Sequence, residues 1–555
     1  MSCKPLIFGA IGRLRKIIAS AAIFAIFGIC AQHVEAGPRE DIFYWASADE
    51  FNNVSHYFDF RPDAQILSRL VWDRLYYRDP NSPAYKPNLA TRLVWNGVTS
   101  VDIELRRDVI FHNGDRFTAD DIIETVRRLK NPSIGAPGHR GIEWIGQVQK
   151  LSRFKVRFDL KRPTPHLLEI LSGPFVVIPR TSWLSAPLDG TGKIDYSLMP
   201  PVGSGPYRVT RIDPGKRIEL DRFSRYHKSP KGRPLIKGLI FSSVSEPRER
   251  RQQLMDGRLD FLWRLSKAAV DRMELEGAPV SVRRAPSMRF AFLLIDRAGR
   301  NGQRSPFRNL LVRRGIAHAV NRSEIARLTF GDNSKVLHSL CHPSQFGCEQ
   351  DVRRYEYDSD KAIALLRSAS IGPASKFSTA DQKNVPAERF SGKPSGASTK
   401  RMRAINTDIV SYRNHPVSRM LVRYLETVGI DARVDEFERY GTAKSTLESG
   451  DLDLAHMTWA SYGSMDIAEI LNRLLRNGPL DYCRDAEINR WLDVAAITND
   501  RQVRARSYSN VLKRLQELVC VLPLFNYTTF YAHSKQLDFK PTLDDTPRLY
   551  RMKWK

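Results

Sequence analysis

The sequence lacks the short motifs that mark common catalytic and nucleotide-binding sites. It contains no H-E-x-x-H, no G-x-S-x-G, no G-x-G-x-x-G and no phosphate-binding loop. Paired carboxylates at Asp120-Asp121 and Asp544-Asp545 fit helix-capping and surface positions, and His112 stands beside a tight turn, which favours a structural role. We therefore predict that the protein is not an enzyme. An enzyme built on a binding-protein scaffold is the least favoured alternative.

The first part of the chain has no apolar run long enough to span a membrane. The run Ile17–Ala31 contains fifteen residues, whereas a spanning helix needs roughly 20. Four basic residues precede this run: Lys4, Arg13, Arg15 and Lys16. Val34-Glu35-Ala36 then places small residues at the −3 and −1 positions of a cleavage site. We therefore predict a signal peptide over residues 1–36 and a periplasmic mature chain, with an uncleaved anchor as the alternative. Ile29 is too large for a lipoprotein signal at Cys30.

Cysteine is scarce, with six residues in 555, four of them beyond the predicted signal peptide. An even number of cysteines in an oxidising compartment favours disulfides. Cys341 and Cys348 close a small loop and are the favoured pair, which leaves Cys483 to pair with Cys520. A metal site using Cys341, His342 and Cys348 is the alternative, but its spacing matches no usual zinc pattern. We expect neither a metal nor a cofactor.

The sequence has no tract of five or more basic residues, although its formal net charge is +26. Residues 1–36 carry four basic residues and Glu35, net +3, so a charge of +23 remains on the rest of the chain. Because this charge is dispersed and no nucleic-acid-binding motif accompanies it, we do not expect a nucleic acid partner. A solvated basic surface is the simplest interpretation. Preference for anionic solutes or envelope polymers is the alternative.

What the sequence does contain is clearest between residues 101 and 129. Apolar and charged residues alternate over 101–106, which predicts a strand with one buried face. Asn113-Gly114 predicts a turn, and Thr118 can cap a following helix with Asp121 at the N3 position. The apolar stripe of that helix consists of Ile122, Val126 and Leu129.

Several ordered motifs resemble one known family. The run VIFHNGDRFTADDI at 109–122 resembles the signature V-x-F-H-D-G-x-P-x-T-A-x-D-V of the family 5 extracytoplasmic solute-binding proteins of ABC importers, the peptide/nickel-binding group. Four further runs resemble segments of the same family: LVWDRLYYRDP at 70–80, PVGSGPY at 201–207, VRRGIAHAVNRSEI at 312–325 and LPLFNYT at 522–528. The resemblance covers nearly all of residues 40–555.

The resemblance implies an α/β protein with the two-lobed periplasmic-binding-protein fold, type II and cluster C-like, with an extra α+β subdomain in the first lobe. We expect lobe I at 37–55, 178–285 and 528–555, the inserted subdomain at 56–177, and lobe II at 286–527. A long polar loop is expected at 371–403, because that stretch is rich in Ser, Lys, Ala and Pro and has little periodicity.

Secondary structure between these landmarks follows from apolar periodicity. We predict a helix from Ile66 to Tyr77 and a strand from Arg289 to Ile295 that crosses into lobe II. Residues 405–459 alternate strand, helix, strand, short helix and strand, which is typical of an open parallel sheet. Ligands of such sheets lie off the carboxyl ends of the strands.

Candidate ligand-binding residues follow from that geometry and from the need for aromatic faces and a few polar groups in a solute site. Trp459 and Tyr462 stand at a strand end and are the leading candidates, each with core packing as the alternative role. The weaker candidates are Asn526, Tyr527, Tyr44, Ser287 and Arg289. No catalytic residues are assigned.

The chain departs from the family pattern near Trp459. Oligopeptide binders of the family read W-x-A-D-Y there, and the aspartate pairs with the amino group of the peptide. Here the run is WASYGSMD, which lacks that aspartate and has Asp466 further on. A buried amino group without a counter-charge is costly. Ordinary peptides are therefore less favoured as ligands, unless Asp466 substitutes.

The resemblance implies the periplasmic substrate-binding component of an ABC importer, a monomer that passes a peptide-like or other small organic solute to a permease and ATPase complex. The alternative is an exported sensor or envelope-polymer-binding protein on the same scaffold, without import. Nickel or haem transport occurs among relatives, but no cluster of His, Cys and Met supports it here.

Overall fold

The structure is a computed structural model. It describes residues 39–59, 61–80, 84–136, 142–192, 194–369, 405–412, 416–437, 440–460 and 464–555. The predicted signal peptide at 1–36 and the predicted polar loop at 371–403 lie outside these residues.

The strands, in chain order, are β1 Ile42–Ser47, β2 Tyr76–Arg78, β3 Tyr85–Pro87, β4 Ala90–Trp95, β5 Ser100–Leu105, β6 Ile145–Ser152, β7 Lys155–Leu160, β8 Tyr207–Asp213, β9 Arg217–Arg222, β10 Gly238–Ser243, β11 Phe261–Leu265, β12 Val280–Ile295, β13 Ile405–Tyr412, β14 Ile430–Phe437, β15 Leu454–Trp459, β16 Val521–Ser534, β17 Leu537–Asp538 and β18 Lys553–Trp554.

The α-helices are α1 Pro62–Val71, α2 Ala119–Leu129, α3 Leu167–Ser172, α4 Arg180–Leu184, α5 Pro247–Met255, α6 Lys267–Leu275, α7 Leu310–Ala319, α8 Arg322–Phe330, α9 Ser359–Ser368, α10 Pro416–Thr427, α11 Tyr440–Ser449, α12 Ala468–Leu474, α13 Ala486–Ala496 and α14 Arg501–Leu518.

The strand, turn and helix predicted near residues 101–129 form as β5, a turn at Gly114 and α2. Thr118 and Asp121 make a reciprocal capping box, in which the Asp121 carboxylate accepts from the Thr118 backbone N–H at 2.8 Å. All three stripe residues of α2 are buried. Strand β5 belongs to a four-stranded antiparallel sheet of order β4-β5-β7-β6, which is the sheet of the α+β subdomain.

The PVGSGPY segment packs against the end of α1. A Cβ atom on Gly203 would lie 2.0 Å from the Val71 carbonyl oxygen, and one on Gly205 would lie 2.3 Å from that of Leu70. Only glycine permits this approach. His112 joins the same junction, because its Nε2 lies 3.0 Å from the Gly205 carbonyl oxygen. Burial lowers the pKa of His112 to about 4, so its ring is a neutral structural element.

The prediction of one helix from Ile66 to Tyr77 is wrong at its C-terminal half. Helix α1 ends at Val71, Trp72 is extended, and the chain continues into β2, which pairs with β3. The apolar pattern of this stretch fits a buried helix and a buried strand equally well. The exit from the helix places the Arg74 guanidinium against the Trp72 carbonyl oxygen at 2.8 Å, a contact that a sequence pattern does not reveal.

A ten-stranded mixed sheet runs through both lobes in the order β14-β13-β15-β12-β16-β11-β1-β10-β9-β8. Its central pair, β12 and β16, is antiparallel and long, with register from Val280 opposite Ser534 to Leu294 opposite Val521. The strand predicted at 289–295 is therefore the second half of β12. Because β12 also pairs with β15 and β16 also pairs with β11, these two strands connect the lobes. The crossings favour lobe boundaries near 285 and 527, which we retain as a proposal.

The second lobe contains the parallel unit expected from the sequence. Strand β13 pairs in parallel with β14, from Ile405 opposite Ile430, and with β15, through Ile409 opposite Leu454. Helix α10 leads from β13 to β14, and helix α11, expected near 442–448, leads to β15. Apolar clusters cover both faces of this part of the sheet. Trp459, the last residue of β15, therefore lies at a carboxyl end of the sheet, where ligands of such sheets bind.

Two disulfides stabilise the second lobe. Cys341 is bonded to Cys348 with a Cα–Cα distance of 5.7 Å, and Cys483 is bonded to Cys520 with a distance of 5.3 Å. These are the pairs favoured in the sequence analysis. The second disulfide links the segment before α13 to the start of β16, so it joins the helical layer to the central sheet.

Candidate functional site

A cavity of about 420 Å³ lies where the two lobes meet. Its volume falls within the range of roughly 300–1,000 Å³ typical of small-molecule sites. The first lobe and its subdomain line most of it, and the second lobe contributes Ser464, Asp466 and Glu469. The charged residues of the wall are Arg69, Arg74, Arg78, Lys231, Arg548, Glu169, Asp466 and Glu469. Charged groups of both signs thus line the cavity: the basic groups and Glu169 come from the first lobe, and Asp466 and Glu469 come from the second.

Arg74 is a structural cation on the basic wall. Its Nε donates to the Gly173 carbonyl oxygen at 3.1 Å, and its Nη1 donates to those of Ser68 and Trp72 at 3.0 and 2.8 Å. Nη2 completes the set with a hydrogen bond of 2.9 Å to the Ser68 hydroxyl. The guanidinium thus binds the backbone where α1 ends, while its positive charge still acts on the cavity.

Lys231 has a dedicated counter-ion in Asp73. The ammonium lies 2.6 Å from Asp73 Oδ1 and donates to the Arg69 carbonyl oxygen at 2.7 Å. Tyr226 donates its hydroxyl to the same carboxylate at 2.9 Å, and His227 Nε2 lies 3.2 Å from it. Burial lowers the pKa of Lys231 to about 8, although Asp73 acts against this. This buried network holds LVWDRLYYRDP against the segment around residue 230.

The charge and hydrogen-bond donors of Arg548 likewise have partners within the first lobe. It forms an ion pair with Asp544 and donates to the Thr546 carbonyl oxygen at 2.5 Å. Burial disfavours the charge of Asp544, but Arg548, Arg69 and Arg78 together lower its pKa to about 2. Asp544 and Asp545 are 3% and 4% exposed, so the prediction that they are surface charges is wrong. They are the counter-charges of a buried basic cluster.

Arg78 differs from these three cations. Its guanidinium lies 3.6 Å from an Asp544 oxygen and 3.9 Å from a Glu169 oxygen, both beyond ordinary hydrogen-bond distance. Arg78 is 8% exposed, and its buried Nη1 has no hydrogen-bond partner in the part of the chain that the structure describes. A buried guanidinium with unused donors calls for an acceptor.

On the acidic wall, Asp466 is already neutralised. It forms a buried ion pair with Arg504 and accepts from the Ala468 backbone N–H at 2.9 Å. Its possible role as a substitute for the missing family aspartate is therefore weakened. Glu169 connects the lobes, because its Oε1 accepts from the Met465 backbone N–H at 2.8 Å. Burial raises the pKa of Glu169.

Glu469 is the remaining acid of the wall. A large part of its surface is accessible, and the residue lines the cavity. Withdrawal from solvent raises the pKa of Glu469 to about 7, with contributions from the charges of Glu169 and Asp466, while the Ser464 hydroxyl acts in the opposite direction. Glu469 has no ion-pair partner among the residues described.

The residues predicted to bind ligand lie elsewhere. Trp459 ends β15, opposite Phe290 of β12, and packs half-buried against the core of the second lobe. Tyr44 packs half-buried against a small apolar cluster of the first lobe. Neither lines the cavity. Tyr462 lies outside the described residues.

The other four candidates are brought together at the crossing strands. Asn526 donates to the Ser287 carbonyl oxygen at 3.3 Å, and the Ser287 hydroxyl donates to that of Tyr527 at 3.2 Å. The Arg289 guanidinium stacks 4.4 Å from the Tyr527 ring centroid. Asn526 and Tyr527 are buried, and none of the four lines the cavity. Their contact with a solute stays a prediction.

The sequence analysis missed the charged residues of the cavity. Arg78 belongs to LVWDRLYYRDP, whose resemblance to the family assigns no role to that residue, and Glu169 and Glu469 lie on the short helices α3 and α12. The sequence did contain one signal. Asp73 and Arg74 stand inside an apolar run, and charged residues are rare at positions that become buried. Charged residues inside an apolar pattern indicate a buried ionic network.

Across the described ranges, no group of three or more His, Cys, Asp or Glu side chains could hold a metal ion. In the same ranges no helix has both the length and the apolar character needed to cross a membrane.

A sequence profile of the bacterial extracellular solute-binding proteins, family 5 Middle, matches residues 84–480. Among curated proteins, the chain is 25% identical over 462 residues to Di/tripeptide-binding protein 2 of Pseudomonas aeruginosa (strain UCBPP-PA14), covering 78% of this chain and 79% of that one. It is 24% identical over 457 residues to the glutathione-binding protein GsiB of Salmonella typhimurium, with the same two coverages.

Solved structures show the same fold. NikA from Brucella suis, in complex with Fe(III)-EDTA, superposes with a TM-score of 0.75 at 18% identity, over 93% of this chain and 100% of the other. The dipeptide-binding protein from Pseudoalteromonas sp. SM9913, in complex with Met-Leu, gives 0.73 at 18% identity with the same coverages. The two-lobed α/β fold expected from the sequence is confirmed.

Proposed function

Since the chain belongs to the bacterial extracellular solute-binding proteins of family 5, we propose that it is the periplasmic substrate-binding component of an ABC importer. It captures a peptide-like or other small organic solute and delivers it to a permease and ATPase complex at the inner membrane. The observation that carries this proposal is the cavity of about 420 Å³, which both lobes line with charged side chains.

Capture follows from the position of that cavity. A solute in it contacts the basic wall of the first lobe and Ser464, Asp466 and Glu469 of the second, so its binding energy favours the closed arrangement. The Glu169–Met465 hydrogen bond forms across the same gap. Strands β12 and β16 connect the lobes and are the place where a hinge would act. The closed arrangement of the lobes thus signals to the membrane complex that a solute is bound.

The solute class is supported by the names of relatives. One curated relative is a di/tripeptide-binding protein and another binds glutathione. A cavity of this size, lined by charged groups of both signs, suits a short solute with several charged or polar groups. We further propose that the chain acts as a monomer, by binding and without catalysis. Trp459 and Tyr462 stay candidates for contact with the solute.

The test is a solute screen on the purified chain. We expect a rise in melting temperature with at least one small organic solute, because a ligand at 100 times its dissociation constant stabilises the folded state by about 2.7 kcal/mol. The solute should then be taken up by cells that carry the gene and not by cells that lack it. A double variant, Arg78→Met with Glu469→Gln, should lose the melting shift.

The alternative of an envelope-binding protein makes a different prediction. It requires salt-sensitive retention on peptidoglycan or anionic lipid, driven by the high positive charge, and no melting shift with any solute. Binding of a solute without uptake would support a sensor. Absence of every solute response would contradict the import proposal.

A further inference from the structure

A small loop closed by a disulfide is hydrogen-bonded to the second-lobe wall of the cavity. The disulfide loop consists of residues 341–348, and the second-lobe wall consists of Ser464, Asp466 and Glu469. We propose that the disulfide loop is a positioning element, which holds this wall in the geometry that binds a solute. The inference rests on the proposed function, because it assigns one of the two disulfides to the solute site.

The loop and the wall are joined through their backbones. The Phe346 N–H donates to the Met465 carbonyl oxygen at 2.6 Å, and the Ile467 N–H donates to the Phe346 carbonyl oxygen at 3.3 Å. Phe346 is thereby paired in parallel with Asp466 as an isolated β-bridge. Both chain neighbours of Asp466 are thus fixed by a single residue of the loop. Because Asp466 lines the cavity, a displacement of Phe346 displaces the wall.

Gln345 adds a side-chain contact from the same loop. Its Nε2 donates to the Ser464 carbonyl oxygen at 3.1 Å, and its Oε1 accepts from the His342 backbone N–H at 2.9 Å. The Gln345 backbone N–H in turn donates to the His342 carbonyl oxygen at 2.9 Å. Gln345 is buried, and its amide group therefore holds the loop together and contacts the wall at the same time.

Helix α14 packs against the other side of the loop. The Arg504 guanidinium carbon lies 5.0 Å from the Phe346 ring centroid, and Arg504 forms the buried ion pair with Asp466. A Cβ atom on Gly347 would lie 2.4 Å from Tyr508 Cδ2, so the loop meets this helix with no room for a side chain. The loop lies between α14 and the wall, and its shape determines where the wall stands.

The disulfide restricts this loop to one shape. Residues 341–348 belong to no helix or strand, so the covalent ring limits their conformations in place of a regular hydrogen-bond pattern. Cys341 is fully buried in the core of the second lobe, whereas Cys348 is only partly buried. Without the bond, the Cys348 end would gain conformational freedom. A solute would then have to order the loop and the wall as it bound, which lowers affinity.

The disulfide Cys483–Cys520 supplies a matched control. It joins residues 37 positions apart, against 7 for Cys341–Cys348. A cross-link that closes a longer loop restricts the unfolded chain more strongly. The Cys520 carbonyl oxygen accepts from the Ile295 backbone N–H at 2.9 Å, which places this disulfide on the central sheet. We expect it to contribute to stability and to leave solute affinity unchanged.

The experiment measures hydrogen–deuterium exchange of the solute-free chain, so it requires no identified solute. Cys341→Ser combined with Cys348→Ser should speed exchange of the Met465 and Ile467 amides by at least about fivefold, since each amide loses an ordered acceptor. The amides of β14 should keep their wild-type rates, because that strand does not contact the loop.

The matched variant, Cys483→Ser combined with Cys520→Ser, should behave differently. It should lower the melting temperature more, and any faster exchange should appear in the wall and in β14 alike, because it arises from unfolding of the whole lobe.

Two single variants keep the test specific. Gln345→Glu retains the acceptor for the His342 N–H but loses the donor to the Ser464 carbonyl oxygen, so it should speed exchange at the wall with the disulfide intact. It decides the question if the double serine variant at 341 and 348 fails to fold. Ser344→Ala changes an exposed residue whose hydroxyl is hydrogen-bonded to His342 within the loop, and should leave the exchange rates unchanged.

Solute affinity is the second readout, with free trialanine as the probe in titration calorimetry. Loss of the Cys341–Cys348 bond should weaken binding by at least about fivefold, the effect of one hydrogen bond of ordinary strength. Loss of the Cys483–Cys520 bond should leave the affinity at the wild-type value, measured well below the melting temperature of the variant.

The outcomes separate the inference from the proposed function. Wild-type exchange at Met465 and Ile467, or equal changes in both disulfide variants, would show that the loop does not position the wall, and the proposed function would stand. Faster exchange without any loss of trialanine affinity would also overturn the inference. If neither trialanine nor any other solute binds, the proposed function fails, and the exchange rates alone decide whether the loop holds the wall.

Discussion

On the first-lobe wall of the cavity, Arg74 and Lys231 donate to carbonyl oxygens and to Asp73, and Arg548 pairs with Asp544. On the second-lobe wall, Glu469 faces the cavity with no ion-pair partner among the described residues. The cations Arg74, Lys231 and Arg548 of the first wall thus already have partners, whereas Arg78 of the same wall and Glu469 of the second keep binding capacity for a solute. A charged side chain of the wall that already has a partner positions the site, whereas one without a partner can select the ligand.

The largest effect should come from breaking the network behind the basic wall. Asp73→Ala removes the counter-ion of Lys231, whose ammonium lies 2.6 Å away in a buried position. Leaving a buried charge unpaired costs about 3–5 kcal/mol. Chemical unfolding should therefore show a large loss of stability or no folded protein. Asp108→Ala breaks an exposed pair with Arg106 and should cost less than about 1 kcal/mol. Equal costs would show that the Asp73 network is not a buried one.

A second test breaks the backbone junction under the same wall. Gly203→Ala would place a Cβ atom 2.0 Å from the Val71 carbonyl oxygen. The chain must shift to accommodate it, and we expect a loss of roughly 1–3 kcal/mol in the free energy of unfolding. Gly190→Ala is the control, since no atom lies within 4 Å of its added Cβ. A stable Gly203→Ala protein would contradict the close approach of this loop to α1.

The contact between the two walls can be weakened without unfolding either lobe. Glu169→Ala removes the acceptor for the Met465 N–H and a charge beside Arg78. We expect solute affinity to fall by about tenfold, because a buried hydrogen bond to a charged group contributes about 1.5–3 kcal/mol. Glu169→Gln keeps an acceptor and should lose less. Titration calorimetry distinguishes the two, and an unchanged affinity for Glu169→Ala would exclude a role in closure.

The smallest expected effect is a pH dependence of stability that arises from Glu469. Its folded pKa of about 7 lies above the ordinary value for glutamate, so the folded state without solute holds this proton more tightly than the unfolded state. The stability contribution is present below about pH 4.5 and is lost as pH rises through about 7. Glu469→Gln should remove that part of the pH dependence of the melting temperature.

Solute binding should respond to pH in the opposite direction. An ammonium needs the ionised Glu469, so affinity for free peptides should rise as pH increases through about 7. Glu169 and Asp466 face the same region, and Asp466 forms an ion pair with Arg504. The affinity of N-acetylated peptides should not follow this profile. A flat profile for free peptides would argue against Glu469 as the ammonium acceptor.

Local patterns in the sequence were sufficient for β5, the Gly114 turn and α2, because each depends on neighbours within a few residues. Thr118 and Asp121 cap the helix with their own side chains, and the alternation over 101–106 sets the buried face of the strand. The parallel unit of β13, β14 and β15 was predictable for the same reason. The helix from Ile66 was predicted too long, since its end at Val71 depends on partners more than a hundred residues away, such as Lys231 and Gly203.

The motifs indicated, through their resemblance to a known family, that this chain has the two-lobed fold of an extracellular solute-binding protein, since each motif is a run of contiguous residues. Tertiary structure alone decided which side chains form the cavity. Arg78, Glu169, Lys231, Glu469 and Arg548 come from five separate segments and meet only when the lobes pack. Whether a charge is paired or unused depends on those distant neighbours, and so the selectivity of the site cannot be recognised from any single stretch of sequence.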